Sequence, residues 1–349
     1  KGGDNMQPQK LVNGLTAAAA ALALAAAAMP AGASKVLPGK GKTVRPIEGP
    51  LAEEKFQARI IYRALEELGY RIAAPKQATY EIAHWRVNFR QADFFTAHWD
   101  PQHRGFFEKA GGDSNMQQLG VLIAGARQGY LIDKASYDAG ITSLASLQEA
   151  KVAGRFDADG DGRADLVGCA PGWGCSEIID HHLTRLGLQD LVKQHQGSYS
   201  RMMDDAIERH RQQQPIIYYA WSPYWVGAVL RLGKEVEWLR VGKAPDAAAG
   251  ESLEFSGNDI KILANNNFLA ENPAARKLFE IANIRASDVS VQNLKLRNGK
   301  NSDFDIDSQV SSWIIKNRVI FTGWLEEARK AADDARVASL QPQEELADE

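Results

Sequence analysis

Hydrophobic and polar residues alternate with two different periods along most of the chain, a pattern that predicts helices interleaved with strands. Between residues 51 and 70, apolar side chains recur every three or four positions and Gly69 ends the run, as in an amphipathic helix. The same period indicates further helices at 142–150, 176–188, 272–284 and 311–332, the last as one helix or a pair. Continuous apolar runs at 120–133 and 215–225 indicate buried strands that end in turns.

Alternating elements of this kind are typical of an α/β fold with mainly parallel sheets. Asn272 and Pro273 are expected to open one of the helices, as its N-cap and its first helical residue. The sequence contains no internal repeat, no P-loop and no G-x-G-x-x-G motif. It becomes polar from Ser339 onward, which predicts a disordered tail at 339–349.

The first 33 residues have the pattern of a secretory signal peptide. Lys10 precedes an apolar run of 15 residues at 15–29, and small residues follow at 31–33. A membrane-spanning helix needs about 20 apolar residues, so the run is short for a span. Its flanks favour a cleaved signal over a buried alanine-rich helix.

Cleavage is predicted near Ala33/Ser34, and residues 1–5 lie upstream of a start at Met6. The exported chain would keep about 316 residues, which is enough for two lobes. Cleavage removes two lysines and one aspartate, so the net charge changes from −3 to −4. Such a weak balance argues against nucleic acid and anionic membrane surfaces as partners. We predict a soluble periplasmic protein, monomeric in solution.

Cys169 and Cys175 are the only cysteines, and they bracket a tryptophan in the sequence GCAPGWGCSE at 168–177. In an oxidising compartment a close pair of this kind indicates a disulfide, and two cysteines alone cannot complete a structural zinc site. Closing so short a loop contributes about 2 kcal/mol, whereas a chain of this length can bury a core without such help. The predicted disulfide therefore shapes one loop, which displays Trp173.

Three of the eight tryptophans, Trp99, Trp173 and Trp221, lie in turn-like contexts marked by glycine or proline. Aromatic faces can hold a quaternary ammonium ion, which has no N–H to donate. The pattern alone favours core packing for all three. However, Gly174 and Cys175 immediately precede a predicted helix, where free backbone N–H groups suit a carboxylate. A cation site beside an anion site predicts a small zwitterionic ligand.

The segments GCAPGWGCSE, WDPQH at 99–103 and YYAWSPYWV at 218–226 resemble the periplasmic glycine betaine/proline betaine-binding proteins of ABC importers, the ProX type. The resemblance extends through nearly all of the mature chain. It implies a two-lobed periplasmic binding protein of type II, with the ligand cleft between lobes joined by two crossover strands. We place the crossover strands near 129–133 and 236–241, lobe 1 at 34–130 and 240–338, and lobe 2 at 131–239.

The resemblance also implies a division of the site. Trp99, Trp173 and Trp221 match the family's box around the trimethylammonium group, while His103 and the backbone amides of Gly174 and Cys175 match its carboxylate donors. The implied function is the substrate-binding component of an ABC importer for osmoprotectant uptake, working with a permease and a separate ATPase. No catalysis and no cofactor are expected. Asp100 is an acidic residue beside the site, and its effect on selectivity cannot be judged from sequence.

Other interpretations stay open at this point. The same scaffold could bind choline, carnitine or another methylated amine, although choline has no carboxylate for His103. An exported calcium-dependent hydrolase could use His103 with Asp100, but no hydrolase motif is present. A metal-delivery protein could use His181 or His182, although adjacent helical residues diverge and surface positions are the better expectation for both.

A second motif, DADGDGRAD at 157–165, resembles a calcium-binding loop. The acids at its positions 1, 3, 5 and 9 are Asp157, Asp159, Asp161 and Asp165. The acid expected at position 12 is missing, because Gly168 stands there. The motif therefore predicts either a structural calcium site or a turn of Asp and Gly residues that caps itself.

Overall fold

The computed structural model describes residues 37–171, 173–244, 246, 248 and 252–340. The predicted signal peptide and its cleavage site, and residues 341–349 of the predicted tail, lie outside these ranges. Within them, no helix is long and apolar enough to cross a membrane.

The described residues form strands and helices in alternation. The strands are β1 (Thr43–Val44), β2 (Pro46–Glu48), β3 (Arg71–Ile72), β4 (Lys76–Gln77), β5 (Phe94–Asp100), β6 (Met116–Asp133), β7 (Ala164–Val167), β8 (Val192–His195), β9 (Ile217–Ser222), β10 (Val236–Leu239) and β11 (Asn258–Asn265). The helices are α1 (Lys55–Glu67), α2 (Tyr80–Asn88), α3 (Arg104–Lys109), α4 (Lys134–Asp138), α5 (Ala150–Ala153), α6 (Gly174–Arg185), α7 (Tyr199–Arg211), α8 (Val226–Val229), α9 (Asn266–Glu271), α10 (Pro273–Ile281), α11 (Ala286–Arg297), α12 (Asp303–Lys316) and α13 (Arg318–Leu340).

Most predicted elements are present, with differences at their ends. Helix α10 begins at Pro273 with Asn272 as its N-cap, although the Asn272 side chain makes no capping bond and instead accepts one from Lys42. The segment at 142–150 forms a 3-10 turn at Leu144–Gln148 rather than a regular helix. The last segment is a helix pair, and α13 runs to Leu340, so Ser339 and Leu340 are helical although the sequence predicted disorder from Ser339 onward.

The sheet is mixed, and the prediction of mainly parallel pairing is wrong for its centre. Its order is β4-β2-β5-β11-β6-β9-β7-β8, with β10 also paired to β6. Pairs towards both ends are parallel, but β11 pairs antiparallel with β5 and β6, as do β9 and β10 with β6. The partner β11 lies more than 120 residues beyond β6 in the sequence, and local periodicity carries no information on pairing at that distance.

Strand β6 is common to both parts of the sheet. Its residues 116–126 pair with β11, and residues 127–132 pair with β9. One large hydrophobic cluster contains buried residues from 130 to 253 only, while the other draws on residues 44–126 and 260–328. The predicted crossover segment at 129–133 is the end of β6, and β10 pairs with it antiparallel.

Candidate ligand-binding site

One cavity collects the six residues that the sequence analysis selected as ligand-binding. Trp99, at the end of β5, and His103, the N-cap of α3, come from the part of the chain that forms the cluster of residues 44–126 and 260–328. Trp221 on β9 packs against both clusters. The cavity is lined by Leu51, Tyr80, Trp99, Gln102, His103, Phe106, Trp173, Gly174, Cys175, Tyr219 and Trp221. It therefore lies where the two large clusters approach each other.

The loop after β7 and the first turn of α6 together carry three of these residues, and a disulfide links the two segments. Cys169 and Cys175 are joined, as the sequence predicted, and both side chains are buried. Trp173 is the N-cap of α6, so Gly174 and Cys175 are its first two residues rather than residues that precede it. The first N–H groups of a helix have no partner within the helix. Two such groups therefore border the cavity at the positive end of the α6 dipole.

The cavity wall on this side is aromatic. The rings of Trp173 and Trp221 meet edge to face, with centroids 5.4 Å apart and planes at 78°. Tyr199 lies behind both, 4.6 Å from Trp221 and 6.3 Å from Trp173, and Tyr224 supports Trp221 at 4.2 Å. Close packing of this kind fixes the ring orientations before any ligand arrives. The two indoles therefore offer preformed faces for a cation.

Hydrogen bonding fixes which nitrogen of His103 carries its proton. The backbone N–H of Trp99 donates to Nδ1 of His103 over 3.2 Å, and the backbone N–H of His103 donates to the Trp99 carbonyl over 2.6 Å. Because Nδ1 is an acceptor, the hydrogen of the neutral ring resides on Nε2. His103 thus keeps one N–H group that can donate to a ligand.

Burial keeps His103 neutral. Its side chain is 4% exposed, and loss of hydration lowers its pKa well below 6.5, with further lowering by His84 and His98. Those two rings form a hydrogen-bonded chain, from His84 Nδ1 to the Tyr80 carbonyl (2.7 Å) and from His98 Nδ1 to His84 Nε2 (2.9 Å). Burial also lowers the pKa of His84 to about 4 and that of His98 to about 3. All three imidazoles are therefore neutral donors or acceptors near neutral pH.

The charge of Asp100 is balanced away from the cavity. Lys261 on the neighbouring strand β11 lies 2.7 Å from one carboxylate oxygen of Asp100, and Arg104 lies 3.8 Å from the other. Burial acts to raise the pKa of Asp100, but the hydrogen bond and charge of Lys261 outweigh it and lower that pKa. Asp100 does not line the cavity, so its ion pairs supply no free charge to a ligand.

Several residues that line the cavity, Tyr219 and Tyr80 among them, were not predicted from the sequence. Tyr219 is two positions before Trp221 on β9 and therefore shares its face, which was a readable signal. Its hydroxyl donates to Gln128 over 2.6 Å. Tyr80 opens α2 and stacks near His103, with ring centroids 4.5 Å apart. Nothing in the local sequence around Tyr80 indicated that contact.

The adjacent histidines differ in position, and the expectation that both lie on the surface is wrong for His182. Its side chain is buried, and its Nδ1 lies 2.9 Å from the Tyr130 hydroxyl. Burial lowers the pKa of His182 to about 4. His181 is exposed on the same helix. The pair therefore does not converge on one point in space.

The geometry defines a class of protein, namely one that binds a small molecule in a cleft between two hydrophobic clusters. An aromatic wall, a neutral N–H donor and a helix start meet at this cleft, and together they suit a ligand with a cation and an anion. The chain belongs to the family of substrate-binding domains of ABC-type glycine betaine transport systems, whose model matches residues 42–315. This confirms the predicted class, a transport-related binding protein rather than an enzyme.

Individual relatives extend over most of the chain. The glycine betaine/proline betaine-binding periplasmic protein of Escherichia coli K12 is 41% identical over 305 residues, which are 84% of this chain and 92% of the relative. The glycine betaine-binding periplasmic protein OusX of Dickeya dadantii is 39% identical over 307 residues, 85% of this chain and 92% of the relative.

Solved structures show the same fold at lower identity. Lactococcal OpuAC, in its closed-liganded conformation with glycine betaine, aligns with a TM-score of 0.63 at 20% identity, covering 81% of this chain and 99% of that one. ProX from Borrelia burgdorferi aligns with a TM-score of 0.65 at 17% identity, covering 84% and 100%. The predicted fold class, a two-lobed periplasmic binding protein, is therefore confirmed.

Reducing the disulfide should weaken ligand binding more than it lowers the stability of the ligand-free protein. The bond holds the loop that presents Trp173, Gly174 and the Cys175 amide, whereas its two cysteines are a small part of one of the two large clusters that stabilise the folded state. The stability loss should be about 2 kcal/mol. Calorimetric titration and thermal unfolding, with and without reductant, measure both quantities, and the Cys169→Ser/Cys175→Ser variant is the control. Equal losses would leave the bond a general stabiliser only.

Proposed function

We propose that this protein binds glycine betaine and related betaines as the substrate-binding component of an ABC importer for osmoprotectants. The observation that carries the proposal is the single cavity at which all six selected residues meet. Relatives named for glycine betaine or proline betaine binding support it, because they are about 40% identical over most of the chain.

In this proposal the cavity has a cation half and an anion half. Trp99, Trp173 and Trp221 surround the trimethylammonium group, each contributing about 0.5 to 2 kcal/mol depending on how dry the site is. His103 donates its Nε2–H to the carboxylate, and the first N–H groups of α6, from Gly174 and Cys175, complete that half. The ligand carboxylate also gains from the helix dipole.

The proposal extends to the wider system. Lobe 1 would comprise 34–130 and 240–338 and lobe 2 residues 131–239, and a ligand that contacts both would favour the closed form by differential affinity. The mature protein would act as a monomer in the periplasm after cleavage near Ala33/Ser34. It would deliver ligand to a permease driven by a separate ATPase. Binding would need no cofactor, because the family to which the chain belongs consists of substrate-binding domains.

Calcium binding by the acidic loop at 157–165 stays a prediction. A bound ion would have a structural role. The carboxylates of Asp157, Asp159 and Asp161 lie close enough to share an ion. Asp157 also accepts N–H groups from the turn itself, and Lys193 Nζ lies 2.8 Å from both Asp159 and Asp161. These contacts favour the self-capping turn, because calcium would have to displace the ammonium group.

Asp165, the fourth acid of the motif, takes a different position. One of its oxygens accepts backbone N–H groups of Ala158 and Asp159, and the other contacts Nε2 of His195 on β8. Asp165 is buried, in contrast to the exposed Asp159 and Asp161. It therefore anchors the loop to the sheet edge.

Glycine betaine should bind clearly more tightly than its carbon isostere 3,3-dimethylbutanoate, which keeps the shape and the carboxylate but has no positive charge. Three aromatic faces act on the cation alone, so the difference should be about 10- to 1000-fold, equivalent to about 1.4 to 4 kcal/mol. Proline should also bind more weakly, because its N–H groups lose water without finding acceptors in an aromatic box.

Isothermal titration of each compound into the purified protein measures these differences, with choline and carnitine in the same series. Equal affinity for glycine betaine and the isostere would contradict the cation half. Tighter binding of choline than of glycine betaine would contradict the carboxylate half and support the choline alternative, which the anion-binding groups of the site disfavour.

A further inference from the structure

We propose that Glu54 is the anionic partner of the bound ammonium group, acting through the indole of Trp99, so that ligand binding releases a proton from Glu54. This inference rests on the proposed function, because it requires a cation in the aromatic box. It assigns a role to a residue outside the ligand-contacting set.

Glu54 lies close to two of the tryptophans that line the ligand cavity, Trp99 and Trp221. It is the last residue of the 3-10 turn Ala52–Glu54 that leads into α1. A second, smaller cavity shares Leu51, Trp99 and Trp221 with the ligand cavity, and Glu54 lines this second cavity. The two indoles therefore line both spaces, and Glu54 borders the second one.

The contacts of Glu54 leave one carboxyl oxygen without a partner. The Tyr80 hydroxyl donates to Oε1 over 2.9 Å, and the nearby Trp99 side chain also favours the ionised form of this carboxyl. Oε2 is buried and accepts no hydrogen bond from the described residues. Oε2 lies against Gly49, where an added Cβ would overlap with it unless the Glu54 side chain moved.

The described surroundings of Glu54 contain acids but no paired cation. Glu53 on the same turn and Glu48 on β2 both repel its negative charge, and no ion pair joins Glu54 to any described Lys, Arg or His. Burial raises the pKa of Glu54 to about 8, and the hydrogen bond from Tyr80 and the nearby Trp99 offset it only in part. The ligand-free protein thus keeps a largely neutral carboxyl near pH 7, beside a cavity suited to a cation.

A bound ammonium group changes this balance in both directions. A positive charge in the neighbouring ligand cavity favours the ionised carboxylate of Glu54, and the proton of Glu54 passes to solvent. The ionised carboxylate in turn increases the negative potential around the Trp99 ring that the cation contacts. Ligand affinity and ionisation of Glu54 therefore reinforce each other, as linkage requires.

The direction of the pH dependence follows. The ligand prefers the ionised form of Glu54, so ligand affinity should rise with pH. The rise should begin near the pKa of Glu54 in the complex, which the cation lowers, and should level off above about 8, the pKa of Glu54 in the ligand-free protein. If the ammonium group lowers that pKa by one unit, the rise is about tenfold. Proton uptake by a buried histidine on binding a carboxylate would have the opposite sign.

The other titratable groups around the site either change charge outside the pH range in which Glu54 titrates or do not line the two cavities that share Trp99. Burial lowers the pKa values of His84, His98 and His103 below 6.5 and raises that of Tyr80 well above 10. Glu48 is the nearest comparison, since burial also raises its pKa and the Tyr62 hydroxyl bonds to it at 3.3 Å. Glu48 lines neither of the two cavities that share Trp99.

The experiment is calorimetric titration of glycine betaine into the full mature chain at about pH 7.5, in two buffers with different ionisation enthalpies, followed by a series from about pH 6 to 9. We expect release of a substantial fraction of one proton per ligand and about tenfold tighter binding at the alkaline end. In Glu54→Gln both effects should vanish. In Glu48→Gln, a matched substitution at another tyrosine-bonded carboxyl, both should persist.

Each alternative result overturns the inference. Glycine betaine that binds without proton release, or a Glu54→Gln variant that keeps the release and the pH dependence, would remove Glu54 from the site while leaving the proposed function intact. Proton release of equal size with 3,3-dimethylbutanoate would show that the cation is not its cause. Absence of glycine betaine binding altogether would overturn the proposed function as well. The wild-type measurements stand even if a variant fails to fold.

Discussion

Replacing His103 with alanine should weaken glycine betaine binding about 10- to 150-fold, while choline binding changes little. The imidazole offers its Nε2–H to the ligand carboxylate because Nδ1 already accepts the Trp99 N–H. Hydrogen bonds to charged groups contribute about 1.5 to 3 kcal/mol, and choline has no carboxylate to receive this one. Titration calorimetry with both ligands measures the two changes on the same preparation.

Two further variants distinguish loss of the hydrogen bond to the ligand carboxylate from loss of the local structure around His103. His103→Gln keeps an amide N–H at a similar reach and should recover part of the lost affinity. His103→Asn can still accept from Trp99 but reaches less far, so it should resemble alanine. A similar loss for choline and glycine betaine in His103→Ala would show that the residue supports the fold of the loop and does not act on the carboxylate.

Replacing Trp99, Trp173 or Trp221 with alanine should weaken glycine betaine and choline alike, each by about tenfold. Every substitution removes one aromatic face from the cation, a loss of about 1 to 2 kcal/mol. Trp221 should have the largest effect, because it also packs against both hydrophobic clusters and the rings of Tyr199 and Tyr224. Fluorescence or calorimetric titration of both ligands tests the series.

Trp85 provides the matched control for this series. Its ring stacks on Phe89 at 5.5 Å, packs against a separate small cluster, and does not line the ligand cavity. Trp85→Ala should therefore leave both affinities nearly unchanged in a folded protein. If Trp85 mattered as much as Trp173, the cation half would be assigned to the wrong residues.

The sequence was informative wherever a local pattern determines local structure. The segments that contain Trp99, Trp173 and Trp221 lie at a strand end, a helix start and a second strand, and turn residues mark each of them. The cysteine pair indicated the disulfide because the chain has no other cysteine with which either could pair. These features depend on short-range geometry, so they could be predicted without knowledge of the fold.

Contacts between distant segments could not be predicted in this way. Lys261 neutralises Asp100 because β11 lies beside β5, and the Tyr130 hydroxyl gives the buried His182 ring a hydrogen-bond partner. Glu54 is an ordinary acid at the start of an amphipathic helix until Trp99 and Tyr80 pack over it. In each case the physical cause is a partner contributed by a remote part of the chain.

The sharing of β6 between the two hydrophobic clusters has a thermodynamic consequence. Neither cluster contains the whole strand, since residues 116–126 pair on one side and residues 127–132 on the other. Melting either cluster would remove the sheet partners of half of β6 and leave the paired half at a frayed end. We therefore expect the two halves of the molecule to unfold as one cooperative unit, although their apolar interiors are separate.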